Sequence, residues 1–289
     1  MVPLSIEHDP REFDAQMKLV CDRYHPMDIE SLAKLLESGE NPPRGSVVIS
    51  FDDGYRNNFE FAAPILNKYD ILAAFYVITE SVKQQVAPWF CETYHVFLST
   101  NIPSWRVPGS VECVSLETRE DRDKSRRLFN KCVVSMAAEE RRAAIGKLYS
   151  DLEVIPHAGS HELMMTWEML RRLQQDGHTI GSHSFSHPNL TQIGDSDLLR
   201  EISESKLAIM ENTRSSARHF SYPNPIIQPH WTLDVAKALN DAGYTTGVTS
   251  GNGTVDKRSN LLVLPRVSAP ATVAALRWRL DCLFAGVTD

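Results

Sequence analysis

The sequence has 289 residues, with 30 Lys and Arg against 37 Asp and Glu for a formal net charge of −7, and an isoelectric point near 5.8. That balance excludes a protein built to grip nucleic acid or an anionic membrane surface, which needs a concentrated excess of cationic side chains, and leaves a neutral or weakly charged partner. The length supports one large α/β domain or two ordinary ones, each with a sizeable core.

At the N-terminus, Glu7, His8 and Asp9 stand where a secretory signal needs a basic start and an apolar centre. No apolar run reaches the ~20 residues of a membrane span, so the expectation is a soluble, cytoplasmic chain. Cys21, Cys91, Cys113, Cys132 and Cys282 are odd in number, irregularly spaced and without a CxxC pair. They predict free thiols in a reducing compartment, neither a disulfide framework nor a thiolate zinc site.

Beyond the N-terminal segment, the breaker Asn41-Pro42-Pro43-Arg44-Gly45 precedes Val47-Val48-Ile49-Ser50-Phe51, a β-branched run that predicts a buried strand. A helix over about 57–69 and a strand over 73–78 follow. Residues from about 80 to 161 break this rhythm. Pro88, Pro103, Pro108 and Gly109 punctuate the first half, and a charged stretch from Glu117 to Arg127 leads into helices through Tyr149. This stretch is expected to be a largely helical insertion, a candidate lid or substrate wall, within a single domain spanning 1–289.

The rhythm then resumes. Trp167, Leu170 and Leu173 lie at helical spacing between a Thr166 cap and Gly177, and a strand over 178–182 follows. Next come a helix over 196–212, a strand over 218–222, a helix over 233–242, strands over 244–249 and 261–267, and a helix over 272–284. Strands separated by helices of this length imply parallel pairing with right-handed crossovers. The expected fold is α/β, a distorted (β/α) barrel of seven or fewer parallel strands. Asp70, His178, Trp167 and Trp278 are expected at cap, strand-edge and core positions.

Asp52 and Asp53 stand at the C-terminal end of a buried strand, the edge where parallel α/β folds build their sites. Adjacent side chains on an extended chain point apart, but a turn begun at Gly54 can bring both to one pocket. Asp-Asp-Gly alone is also an ordinary surface turn. The second cluster, His183-Ser184-Phe185-Ser186-His187-Pro188, again follows a strand. Two imidazoles four positions apart can meet one metal ion if the intervening residues make one turn. No Glu follows His183, which removes the His-Glu-x-x-His metalloprotease reading. Asp53, His183 and His187 together make a three-ligand set with open positions, as in catalytic rather than structural sites.

Ser50-Phe51-Asp52-Asp53-Gly54, then His183-Ser184-Phe185-Ser186-His187, then Phe220-Ser221-Tyr222-Pro223, in this order on a βα framework, closely resemble the polysaccharide deacetylases of carbohydrate esterase family 4, the NodB-homology group. The resemblance covers about 42–78 and 163–266 and leaves the insertion outside. It implies a hydrolase that removes acetyl from an N-acetylated carbohydrate with a divalent metal, Zn2+ in the first place and Co2+ or Ni2+ as alternatives. By it, Asp52 is the general base and Asp53, His183 and His187 hold the metal. Tyr222, Pro223 and Asn224 line the pocket, with the Asn224 N–H on the oxyanion. Neither nucleic acid nor a membrane is an expected partner. A sugar O-acetyl esterase and an inactive carbohydrate-binding relative are the other readings.

Three positions depart from the family pattern. Ser221 stands where the family has an Arg that steadies the base, Pro225 stands where a Gly is frequent, and the late Leu-x-His that supplies a general acid has no counterpart. Arg266, at the end of the last expected strand, is the candidate to pair with Asp52 instead. His157 and His161 are candidate general acids, and Trp89, Phe90, Tyr94 and Trp105 could stack on a sugar ring or pack the insertion. The first barrel strand is expected to be absent or replaced.

Overall fold

The computed structural model describes residues 9–107, 113–156, 162–223 and 228–287. Asn224, Pro225, His157 and His161 therefore lie outside the described residues. In chain order the elements begin with α1 (Pro10–Arg23), β1 (His25–Pro26), α2 (Ile29–Glu37), β2 (Ser46–Val47) and β3 (Ile49–Phe51). A π-helical turn (Asn58–Ala62), α3 (Ala63–Lys68), β4 (Ala73–Val77) and α4 (Thr79–Gln84) lead into the insertion. The insertion holds α5 (Trp89–Ser99), β5 (Ser104–Arg106), β6 (Cys113–Ser115), α6 (Arg119–Val133) and α7 (Ala138–Asp151). After it come α8 (Trp167–Gln175), β7 (Thr179–Ser182), α9 (Asp195–Thr213), β8 (His219–Ser221), α10 (Leu233–Asp241), β9 (Thr246–Val248), a 3-10 turn (Leu261–Val263) and α11 (Val273–Phe284).

Five strands form one parallel sheet in the order β3-β4-β7-β8-β9, a curled half-barrel with helices packed around it. β4, Ala-Ala-Phe-Tyr-Val, is buried along its whole length, because a strand inside a parallel sheet has helices on one face and the barrel interior on the other. Phe75, Val77, Ile180, Leu170 and Leu173 build the main core with Met17 and Val20 of α1. Each such side chain contributes about 1.5–3 kcal/mol by leaving water. Tyr76, on the opposite face of β4, packs with α2 residues Ile29, Leu32 and Leu36.

Several expectations change in detail. His25–Pro26 pairs in parallel with Ser46–Val47, so a two-residue strand stands beside the start of the first sheet strand. The stretch expected as a strand over 261–267 is a 3-10 turn capped by Asn260, followed by a single parallel bridge from Leu264 to Val248. Pro265 cannot donate to a ladder, and pairing stops there. The helix expected over 57–69 is a π turn followed by a short α-helix. Trp278, expected in the core, is 72% exposed on α11. The insertion has a core of its own, with Phe97, Trp105, Leu116, Phe129, Val133 and Leu148 buried together. All five cysteines are unpaired, and among the described residues no helix is long and apolar enough to cross a membrane.

Candidate metal centre and active site

The expected site residues converge at the C-terminal edge of the sheet. After β3 the chain turns through two left-handed residues, Asp53 at φ 71° and Gly54 at φ 86°, which brings both carboxylates toward one side. A Cβ at Gly54 would stand 3.1 Å from Val77 Cγ1, so this turn admits glycine for space as well as for φ. The left-handed Asp53 costs of order 1–3 kcal/mol. The turn is held by Gly54 N donating to Asp52 O at 2.9 Å and Met165 N donating to Gly54 O at 2.9 Å.

The histidine loop leaves β7 with His183 N donating to Val77 O at 2.9 Å. Ser184 at φ 63° and His187 at φ 60° are again left-handed. The Ser184 hydroxyl accepts from His187 N at 2.9 Å, closing the turn that the spacing requires. The two rings come to 4.8 Å between centroids. His183 Nδ1 lies 2.8 Å from Ser221 O. A carbonyl only accepts, so Nδ1 carries the proton and Nε2 offers a lone pair to the centre.

That lone pair is 3.5 Å from Asp53 Oδ1, and His187 Nε2 is 3.8 Å from the same oxygen. One ligand atom from each of Asp53, His183 and His187 lies within 4.8 Å of the others. Metal–ligand bonds of roughly 2 Å place donors up to about 4 Å apart; the two Asp53 separations meet that limit, and with all three atoms within 4.8 Å the set could hold one metal ion. The surroundings agree. Burial pushes the Asp53 carboxyl up to about 6, and burial with the neighbouring His183 holds His187 well below the usual histidine range. His187 Nδ1 is buried without a hydrogen-bond partner. A buried carboxylate facing two buried ring nitrogens is the environment a cation completes.

Asp52 stands beside this set, its Oδ2 4.0 Å from His183 Nε2. Arg266 grips it in a fork, Nη1 on Oδ1 at 2.8 Å and Nη2 on Oδ2 at 2.7 Å. The other three N–H groups of Arg266 reach Ser50 Oγ at 3.1 Å, Ser221 Oγ at 2.8 Å and Thr249 O at 3.2 Å. All five donors are thereby satisfied. Burial opposes ionisation of Asp52, but Arg266 and then His183 outweigh it and hold the carboxyl well below its ordinary range. Ser221, the departure from the family pattern, takes part by accepting from the arginine.

Tyr222 is fully buried and its hydroxyl donates to Leu262 O at 2.7 Å. Its ring packs with Phe220, Tyr244 and Trp231, so the side chain belongs to the core and does not line the pocket as expected. Pro223 follows it at the sheet edge, and Asn224 is outside the described residues. Of the insertion's aromatics, Trp105 is buried core, Tyr94 lies under the Arg126 guanidinium at 5.5 Å, and Phe90 sits 5.0 Å from the His187 ring. Phe90 thus meets the ring of a candidate ligand, and Trp89 meets the backbone of the same residue through its indole N–H.

Sequence reasoning missed two residues around the histidine loop, Arg141 and Glu201, and named Trp89 only as an aromatic that could stack on a sugar ring or pack the insertion. Trp89 Nε1 donates to His187 O at 2.9 Å, and the buried side chains Arg141 and Glu201 both bond to Ser186. Glu201 carried a signal, since it lies four and eight residues before Ser205 and Ile209 on the buried stripe of α9. Arg141, inside the run Glu-Glu-Arg-Arg, carried none.

The family model for polysaccharide deacetylase matches residues 39–247. YxkH of Bacillus subtilis (strain 168), named for the same family, is 20% identical over 264 residues, 91% of this chain and 66% of that protein. The chitooligosaccharide deacetylase of Sinorhizobium fredii (strain NBRC 101917 / NGR234) is 32% identical over 77 residues, 26% of this chain. The chain thus spans 66% and 34% of the lengths of these curated relatives. Among solved structures, the Streptococcus pyogenes deacetylase PplD in complex with acetate has a TM-score of 0.58 at 19% identity, covering 90% of this chain and 80% of that one. IcaB from Ammonifex degensii has a TM-score of 0.58 at 14% identity, with 94% and 89% covered. At these identities the structural likeness speaks for the fold.

Proposed function

The chain belongs to the polysaccharide deacetylase family, and on that footing we propose that it hydrolyses the acetamide of an N-acetylated sugar with the help of one divalent cation, zinc in the first place. The observation that carries this reading is the placing of Asp53, His183 and His187 within one ion's reach beside a second carboxylate that Arg266 holds. When bound, the cation supplies positive charge that polarises the acetyl carbonyl and lowers the pKa of a water.

The remaining work falls to the chain's own side chains. Asp52 accepts the proton of the attacking water at Oδ2, the oxygen facing His183, as the water oxygen bonds to the acetyl carbon. Asp52 then returns the proton to the nitrogen as the C–N bond breaks, and acetate and a free amine leave. Arg266 keeps Asp52 ionised and fixes its orientation, replacing the arginine that the family pattern puts at the Ser221 position. The backbone N–H of Asn224 is assigned to the oxyanion. The whole chain, insertion included, acts as one catalytic unit. An Asp52 held in readiness by Arg266 supports turnover over binding alone, since cation binding by itself makes no use of either residue.

The test measures zinc content together with acetate release from N-acetylated chitooligosaccharides and O-acetylated sugars. We expect about one zinc per chain and acetate from the N-acetyl substrates, abolished by chelation and restored by zinc. Asp53→Ala should lose both metal and activity, whereas Asp52→Asn should keep the metal and lose at least about 100-fold in kcat. A chain that binds no divalent metal, or releases acetate equally well after stripping, refutes the proposal.

A further inference from the structure

The loop that carries both histidines is not self-sufficient. It holds two left-handed non-glycine residues and buries its serines, with Ser184 and Ser186 at 0% and 2% exposure. Its outer side is met by the insertion. Trp89, on the first turn of α5, donates to His187 O at 2.9 Å, and Asn189 N donates to Val134 O at 3.1 Å. Between these contacts Arg141 reaches in from α7, 2% exposed. Its Nη2 donates to Ser186 O at 2.9 Å and also to the Ser186 hydroxyl, and its guanidinium lies 5.6 Å from the Trp89 ring. From the inner side Glu201 of α9, 5% exposed, accepts from Ser186 N at 2.8 Å and from the Ser186 hydroxyl.

Ser186 is therefore held between a buried cation and a buried anion that come from two distant parts of the chain. Each charge alone would be costly in this setting, and they compensate each other through the one residue that precedes His187. An arrangement whose only purpose was to attach the insertion would not need to bond the backbone of a candidate ligand, as Trp89 does at His187 O, and that of the residue just before it, as Arg141 does at Ser186 O.

We infer that the insertion forms the outer half of the metal centre: Arg141 and Trp89 are positioning residues that, with Glu201, lock the His183–His187 loop in its metal-receiving shape. This rests on the zinc reading above. The insertion thereby acts as a buttress that sets metal affinity. Fixing a ligand through its neighbours commonly changes metal affinity 10–100-fold.

The experiment uses the full chain, stripped with chelator, and measures zinc affinity by competition with a chromophoric chelator and melting of the metal-free protein. Trp89→Phe keeps an aromatic ring in the insertion core and removes only the N–H. The pair Arg141→Met with Glu201→Gln removes both charges together, so neither is left buried alone. We expect zinc affinity to fall several-fold in the first and roughly 10–100-fold in the second, and Arg141→Lys with native Glu201 to recover part of the loss. Variants that melt at lower temperature but bind zinc as tightly as the native chain would show a merely structural role and overturn the inference. If the double variant fails to fold, Trp89→Phe decides: weaker zinc binding supports the inference, and native affinity overturns it. A native chain that takes up no zinc overturns the metal reading and this one with it. Tight native binding with unchanged variants overturns this one alone.

Discussion

At the scale of single residues, Arg266 is the side chain whose chemistry is least replaceable. Its planar fork matches the Asp52 carboxylate at two points, and its other three N–H groups tie it to β3, β8 and the end of β9. A lysine offers a point charge on a flexible stem and cannot reproduce that fork. Arg266→Lys should therefore lower kcat about 100-fold, the scale of loss that follows a misplacement of order 1 Å, with a much smaller change in KM and with zinc content unchanged. Steady-state kinetics beside metal analysis check this, and a lysine variant with native kcat would remove Arg266 from the machinery. Asp52, Asp53, His183 and His187 were legible because each motif is contiguous and its chemistry is local. Arg266 was reachable only by asking what could stand in for the arginine absent at Ser221, since 214 positions separate it from Asp52. Arg141 was not legible, and Trp89 only as an aromatic of the insertion, because their contacts with the histidine loop depend on how an insertion without a recognisable pattern docks onto the sheet.

At the scale of elements, the strand-helix rhythm was readable where an apolar run was bounded by a cap, as with Thr166 before α8. It failed where pairing depended on a neighbour. The 261–267 segment is apolar enough for a strand, yet its pairing with β9 is a single bridge at Leu264, because Asn260 starts a tight turn and Pro265 ends the ladder. Sheet curvature was also invisible in the sequence, though one residue in β7 bears directly on it. A Cβ at Gly181 would stand 2.6 Å from the Tyr76 ring on β4 and 2.8 Å from His219 O on β8, closer than a packed interior allows. Gly181→Ala must push neighbouring strands apart at the point where β7 delivers His183. We expect it to destabilise the fold by about 1–3 kcal/mol, read as a melting temperature lower by roughly 2–4 °C for each kcal/mol. An alanine variant that melts with the native chain would show that these strands separate freely.

At the scale of the whole molecule, the sheet and the insertion each have a core, and beside the second lies a group that couples total stability to pH. Glu92 is half-buried in the first turn of α5, and burial pushes its carboxyl up to about 7. The facing titratable groups do not compensate it: Tyr149 is a phenol raised by its own burial and by Glu92, and Cys91 is a thiol pushed up to about 12. A carboxyl whose folded pKa exceeds its unfolded value binds its proton more tightly in the folded chain. Its stabilising contribution is thus complete below an unfolded pKa near 4.3 and is lost as pH rises through about 7. Buried histidines pull the other way, since burial lowers the pKa of both His178 and His219, so the native pH profile is a sum of opposing trends. Comparing Glu92→Gln with the native chain cancels the histidines and isolates the glutamate. The variant should match native stability near pH 4.5 and exceed it by on the order of 2 kcal/mol at pH 8, with the gap opening between about pH 5 and 7. Urea unfolding of both proteins across that range measures the gap directly, and a difference that stays constant with pH would mean that Glu92 titrates normally in the folded chain.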